Sequence, residues 1–279
     1  MNVPEFVIRE KVKQFLMEDI SSGDLTSILV PDSIRRAEII AKEKGIFAGG
    51  EVARIAFDIM DVDVNYSIPD GSSFEEKQVL MEVEGKTRNI LMAERTVLNI
   101  LMKMSGIATT TKFMVERANK VNPSVRIAAT RKTTPGFRLF EKMAVKIAGG
   151  DTHRYGLSDA VLIKNNHIIA SGGIEQVLKT VKNASFTKKI EVEVRRLEDG
   201  IYAAKEVDII MFDNMKPEEI EAVVKKLNEL NLREKVVLEA SGNITPDNVE
   251  EYAKTGVDVI SSGYITHSAQ PVDMSLYLV

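Results

Sequence analysis

From residue 125 to residue 260, short β-rich runs alternate with amphipathic stretches, and this alternation limits the fold more than any other feature of the chain. The runs lie at 125–129, 160–163, 190–194, 208–212, 236–239 and 257–260, and each is strand-sized. Strands separated by helices imply parallel βα units. A polar or glycine-bearing step follows each run: Thr130-Arg131-Lys132, Lys164-Asn165-Asn166, Arg195-Arg196, Asp213-Asn214, Ser241-Gly242-Asn243 and Ser261-Ser262-Gly263. In βα barrels the carboxyl ends of the strands are where sites are built, although caps and turns use the same residue types. Pro217 fits the first position of a helix over 218–229.

The first hundred residues read differently. Strands predicted at 36–41, 61–66 and 79–84 are separated by turns at Gly45, Gly49-Gly50 and Pro69-Asp70-Gly71, which suggests an antiparallel sheet with flanking helices. A helix predicted over 88–103 carries Ala93, Val97, Ile100 and Leu101 at helical spacing, with Arg95 as a charged exception. With 279 residues, 44% of them hydrophobic, the chain can bury a substantial core. No apolar run approaches the roughly 18 residues of a membrane span, and the opening Met1-Asn2-Val3-Pro4 lacks a signal-peptide layout, so the expected location is cytoplasmic. The absence of cysteine excludes disulfides, thiolate nucleophiles and zinc–thiolate sites, and three histidines disfavour a histidine-rich centre. A metal, if used, should be a hard ion on oxygen ligands, such as magnesium.

Cations gather on one segment of a chain whose net charge is −4. Between residues 130 and 170 stand Arg131, Lys132, Arg138, Lys142, Lys146, Arg154 and Lys164 with His153 and His167, against Glu141, Asp151 and Asp159. A local excess on an acidic chain points to an anionic small molecule rather than to nucleic acid. In Glu191-Val192-Glu193-Val194 the strand period puts both acids on one face. A barrel interior supplying Lys164, Arg131 or magnesium would pair them, and a solvent-facing edge strand would also account for them.

Taken together, these motifs resemble the quinolinate phosphoribosyltransferases, a family also called carboxylating nicotinate-nucleotide pyrophosphorylases. The resemblance runs through Gly23-Asp24-Leu25-Thr26-Ser27 and Ala93-Glu94-Arg95-Thr96, and is densest from Thr130-Arg131-Lys132-Thr133-Thr134-Pro135-Gly136 through His153-Arg154 to Ile163-Lys164-Asn165-Asn166-His167. It resumes at Glu191-Val192-Glu193-Val194, Phe212-Asp213-Asn214-Met215, Glu239-Ala240-Ser241-Gly242-Asn243 and Ser262-Gly263-Tyr264. It implies an α/β fold: an incomplete TIM-like barrel over 109–267 and an N-terminal α+β sandwich domain over 1–108 with 268–279. It also implies transfer of phosphoribose from phosphoribosyl pyrophosphate to quinolinate with loss of carbon dioxide, giving nicotinate mononucleotide for NAD biosynthesis.

For the site, the resemblance implies that Thr130, Arg131, Lys132, His153, Arg154 and Lys164 hold the quinolinate carboxylates. Arg95 would join them from the neighbouring subunit of a homodimer; an internal pair with Glu94 is the plainer alternative. Glu193 and Asp213 would face positive charge developing on the ribose and hold magnesium, directly or through water. Ser241-Gly242-Asn243 and Ser262-Gly263-Tyr264, expected at starts of short helices, would bind the 5′-phosphate. Lys132 and Lys164 would serve the chemical step, and His267 reads as structural. Two readings from other classes compete: a class I aldolase with Lys164 as Schiff-base nucleophile, and a nucleotide-binding regulatory module without turnover.

Overall fold

A computed structural model describes residues 3–181 and 185–279. The chain divides into two compact units, one of Met1–Lys112, Pro135–Gly149 and Ala269–Val279, the other of Phe113–Thr134 and Gly150–Ser268. The expected division at 108/109 and 267/268 differs by a few residues and in the segment 135–149, which belongs to the first unit.

The first unit is built on a four-stranded antiparallel sheet. Its chain order is α1 (Glu5–Ile20), β1 (Ile34–Ala41), β2 (Gly45–Ile46), α2 (Gly50–Ile59), β3 (Val62–Ser67), β4 (Ser73–Phe74) and β5 (Val79–Lys86), followed by α3 (Thr87–Val121), which runs on into the second unit. The last strand of the chain, β12 (Met274–Leu278), pairs with β1, giving the order β12-β1-β5-β3. Alternation in β1 buries Ala37, Ile39 and Ala41, and α2 buries Val52, Ala53, Ile55, Ala56 and Phe57. The larger of these side chains, Ile39, Val52, Ile55 and Phe57, each contribute about 1.5–3 kcal/mol by leaving water.

The helix expected to stop near residue 103 runs on to Val121, for 35 residues. Gly106 does not break it, because the residue serves a close approach: a Cβ there would overlap the carbonyl of Gln270. The terminal segment is also tied to α3 by a hydrogen bond from Val272 N–H to the Met102 carbonyl at 3.1 Å. Helix α4 (Arg138–Ile147) buries Leu139, Phe140, Ala144 and Val145, and Phe15, Phe137 and Phe140 form a cluster with ring centroids 5.3–5.7 Å apart. Arg138, Lys142 and Lys146 of the basic segment therefore sit on a helix of the first unit, with Lys142 fully buried.

The second unit carries six parallel strands, β6 (Arg126–Ala128), β7 (Val161–Ile163), β8 (Ile190–Val194), β9 (Ile209–Asp213), β10 (Val237–Ser241) and β11 (Val259–Ser261). Each lies within two residues of its predicted position. Helices α5 (Asn165–Ala170), α6 (Ile174–Val181), α7 (Leu197–Ala203), α8 (Pro217–Glu229), α9 (Val249–Lys254) and α10 (Tyr264–His267) connect or follow them. The sheet order is β6-β11-β10-β9-β8-β7, which is the cyclic order of a barrel. Among the described residues no ladder joins β6 to β7, so the barrel is incomplete. Register sets two rows at the carboxyl ends: Glu193, Met211 and Glu239 in one, Asp213, Ser241 and Ser261 in the next. At the opposite ends, Asp208 accepts from the Ile190 N–H and Asp258 from the Leu238 N–H, both at 2.8 Å, satisfying amides where each strand begins.

Candidate active site

The carboxyl ends of the six strands surround a cavity of about 750 Å³, within the range of small-molecule sites. Its walls include Thr130, Arg131, Lys132, His153, Arg154, Lys164, Glu193, Asp213, Ser241, Gly242, Asn243, Ser262, Gly263 and Tyr264. Every residue that sequence reading placed in the site is there except Arg95. Arg95 lies on α3, its side chain is 62% exposed, and its nearest acid is Glu94 at 3.9 Å. Arg138, Lys142, Lys146 and His167 do not line the cavity, so the cation count of the segment overstated the local charge.

Two arginines, Arg131 and Arg154, stand in the cavity wall. The Arg131 Nε is buried without a hydrogen-bond partner, an arrangement that costs roughly 1–3 kcal/mol unless something answers it. Arg154 donates from Nη1 to the Ala160 carbonyl at 3.4 Å. Burial, together with the charge of Arg131, holds the Arg154 guanidinium below its ordinary pKa. Two arginines brought this close repel each other, and a dianion between them would relieve both. Lys132 lies along the backbone of Gly263, where a Cβ would press on the Lys132 Cδ at 2.8 Å. The Lys132 carbonyl accepts from Thr266 Oγ1 at 2.7 Å and its N–H donates to Thr130 Oγ1 at 3.0 Å, which fixes the start of the basic loop.

The two acids singled out in the sequence stand on neighbouring strands, each already paired. Strand β8 lies between β7 and β9, so the edge-strand reading of Glu191 and Glu193 fails. Lys164 Nζ meets Glu193 Oε1 at 2.5 Å, and the Asn165 N–H donates to Glu193 Oε2 at 3.3 Å. Asp213, with a side chain 15% exposed, accepts from Arg195 Nε at 2.9 Å and Nη2 at 2.5 Å. In the sequence Arg195 stands out only as part of the polar step that follows β8.

His153 lines the cavity as expected, and its ring is already held by the protein. Its Nε2 lies 3.1 Å from Glu239 Oε2 and 3.7 Å from Glu191 Oε1, and its Nδ1 accepts from the Arg154 N–H at 2.8 Å. Both ring nitrogens are thus engaged by the protein. Burial alone would push the imidazole pKa down, but the two carboxylates outweigh it and push it up to about 10. A charged ring sets a second N–H against that of Arg154; two carboxylates prevail over one backbone donor. Burial likewise raises Glu191 above the usual carboxyl range. Ser261 Oγ donates to Glu239 Oε1 at 2.5 Å and contacts Ser241 Oγ at 2.9 Å, which links this buried cluster to the loop at 241–243.

One expectation about that loop does not hold. Gly263 is the N-cap of α10, as predicted for the second glycine loop, but no helix opens at 241–243; the next, α9, begins at Val249. The intervening turn is held by Asn248 Oδ1, which accepts from the Thr245 N–H at 2.8 Å. His267, whose Cδ2 would lie 2.9 Å from a Cβ at Gly263, lines the cavity and contacts Ser268 Oγ through Nδ1 at 2.6 Å.

Residues 107–277 match the quinolinate phosphoribosyl transferase C-terminal domain and residues 24–105 the N-terminal domain of the same family. The chain is 52% identical to an Archaeoglobus fulgidus protein named "Probable nicotinate-nucleotide pyrophosphorylase [carboxylating]", over 91% of this chain and 97% of that one. It is 35% identical to the rat nicotinate-nucleotide pyrophosphorylase [carboxylating], over 99% of this chain and 92% of that one. Among solved structures, the nicotinate-nucleotide pyrophosphorylase of Francisella tularensis superposes with a TM-score of 0.92 at 37% identity, covering 100% of this chain and 98% of the other. Human nicotinic acid phosphoribosyltransferase, at 12% identity and a TM-score of 0.58, shares the fold alone. The chain belongs to the quinolinate phosphoribosyl transferase family.

Proposed function

We propose that this protein joins quinolinate to phosphoribosyl pyrophosphate and releases nicotinate mononucleotide, pyrophosphate and carbon dioxide. The observation that carries the reading is the buried, unpartnered Arg131 Nε beside Arg154 in a cavity that also holds the carboxylates of Glu193 and Asp213. A dicarboxylate suits paired guanidinium forks, and a sugar that gains positive charge suits fixed acids.

Arg131 and Arg154 grip the two ring carboxylates, with Lys132 and Lys164 beside them. The ring nitrogen attacks the anomeric carbon as the bond to pyrophosphate breaks. Positive charge that develops on the ribose is met by Glu193 and Asp213, each worth about 3–4 kcal/mol by analogy with single electrostatic groups at other active sites. The polyanionic substrate competes for Lys164 and Arg195, which frees oxygens of both acids for the ribose hydroxyls. The loops at 241–243 and 262–264 hold the 5′-phosphate. Carbon dioxide then leaves, its bonding pair remaining on a ring carbon beside the pyridinium nitrogen, and that carbon takes up a proton.

Magnesium fits the donor set through water: both acids offer hard oxygens, but Lys164, Asn165, Arg195 and Asn214 already occupy them, so direct ligation would cost these contacts. The ion supplies charge neutralisation at the leaving pyrophosphate. The reading includes a cytoplasmic homodimer in which Arg95, exposed on α3, completes the partner's site; no described helix is long and apolar enough to cross a membrane. Steady-state assays with quinolinate and with nicotinate, each with magnesium and with a chelator, test the assignment. Turnover of quinolinate alone, abolished by the chelator, is expected; turnover of nicotinate instead would overturn it. Borohydride trapping with carbonyl substrates, expected to leave Lys164 unmodified, separates the aldolase reading.

A further inference from the structure

Asn214 follows β9 and lies between the Asp213 carboxylate and the loop at 241–243, with its polar groups divided between them. Its Nδ2 donates to Asp213 Oδ1 at 2.9 Å, and its Oδ1 accepts from Asn243 Nδ2 at 2.9 Å. The orientation is forced, because a carboxylate only accepts and so must face the amide nitrogen. The Asn214 backbone N–H donates to the Ser241 carbonyl at 2.9 Å. Three residues here are left-handed, with φ of 56° at Asn214, 98° at Gly242 and 52° at Asn243. A Cβ on Gly242 would overlap the Asn214 amide, so the loop backbone rests directly on that side chain. Left-handed backbone is unfavourable for most residues with a side chain, and here two asparagines, which tolerate it best, adopt it on facing loops.

We propose that Asn214 is a positioning residue that locks the Asp213 carboxylate to the 241–243 loop, so that the ribose and its 5′-phosphate meet partners already set in one geometry. The proposal rests on the phosphoribosyl pyrophosphate reading of this cavity. Asn214 acts through Asp213 and Asn243, and the contacts of Arg131 and Arg154 do not depend on it. Its loss therefore loosens one substrate and spares the other.

Two variants test this. Asn214→Gly keeps the left-handed backbone and removes both amide bonds; Asn214→Asp keeps an oxygen for Asn243 but loses the donor to Asp213. Each should raise KM for phosphoribosyl pyrophosphate about tenfold, the effect of losing one charge-assisted hydrogen bond, and leave KM for quinolinate within about twofold. Asn243→Ala should cost less in the Asn214→Gly background than alone, since its bond is already gone. Should Asn214→Gly fail to fold, Asn214→Asp decides. A parallel rise in both KM values, an unchanged KM for phosphoribosyl pyrophosphate, or additive effects would overturn the proposal. Calorimetric titration with phosphoribosyl pyrophosphate separates the levels: wild type that binds none sinks the parent reading and this one together, whereas equal binding by wild type and Asn214→Gly sinks this one alone.

Discussion

At the scale of single residues, the site is defined by charges that burial has made expensive. Arg131 carries a buried Nε with no partner, and only a planar fork can present that donor together with its terminal nitrogens. Arg131→Lys should therefore raise KM for quinolinate by roughly 30-fold or more, about 2 kcal/mol, with KM for phosphoribosyl pyrophosphate little changed. His153 makes a different prediction. Its pKa is raised from the ordinary value near 6.5 to about 10, so its contribution to stability is complete below about pH 6.5 and is lost as pH rises toward 10. Thermal melting from pH 6 to 10 should fall more steeply for wild type than for Glu239→Gln, which removes one of the two carboxylates facing the ring; parallel curves would contradict the assignment. The residues that line the cavity are legible in the sequence from their type and from the motifs around them. The partners of His153 were not, since Glu239 lies 86 positions away and no local spacing reports a contact across a barrel.

At the scale of elements, the six parallel strands were readable because each combines β-branched residues with a polar step at its end. Helix α3 outruns its predicted end for the opposite reason. Gly106, Thr109, Thr110 and Thr111 weaken helical propensity locally, while tertiary packing keeps the helix going. Gly106→Ala, favourable in an isolated helix, should destabilise the protein here by about 1–3 kcal/mol, because the added methyl meets the Gln270 carbonyl. Denaturant unfolding at constant m-value would show it, and a gain in stability would refute the close approach. Helix α4 was hidden inside the basic segment: Arg138, Lys142 and Lys146 count as cations in the sequence, but Leu139, Phe140, Ala144 and Val145 place that stretch in the first unit's core. The assignment of residues 268–279 to the N-terminal domain foresees cover for an apolar chain end, but not that the end pairs with β1 as strand β12. Removing residues 274–279 should bare the edge of β1 and lower solubility as well as melting temperature.

At the scale of the whole molecule, the family and the fold are shown, and the shared site remains the proposal with most to lose. If Arg95 serves the partner's cavity, Arg95→Ala and Lys164→Ala subunits, each inactive alone, should recover about a quarter of wild-type activity when randomly mixed in equal amounts, because half the dimers then hold one intact site. No recovery in demonstrably mixed dimers would return Arg95 to its pairing with Glu94. The reaction itself is measured by following carbon dioxide and nicotinate mononucleotide in one vessel, with carboxyl-labelled quinolinate, phosphoribosyl pyrophosphate and magnesium. One labelled carbon dioxide is expected for every mononucleotide formed, with neither product when phosphoribosyl pyrophosphate is omitted. Mononucleotide without carbon dioxide, or binding of both substrates without turnover, would contradict that expectation.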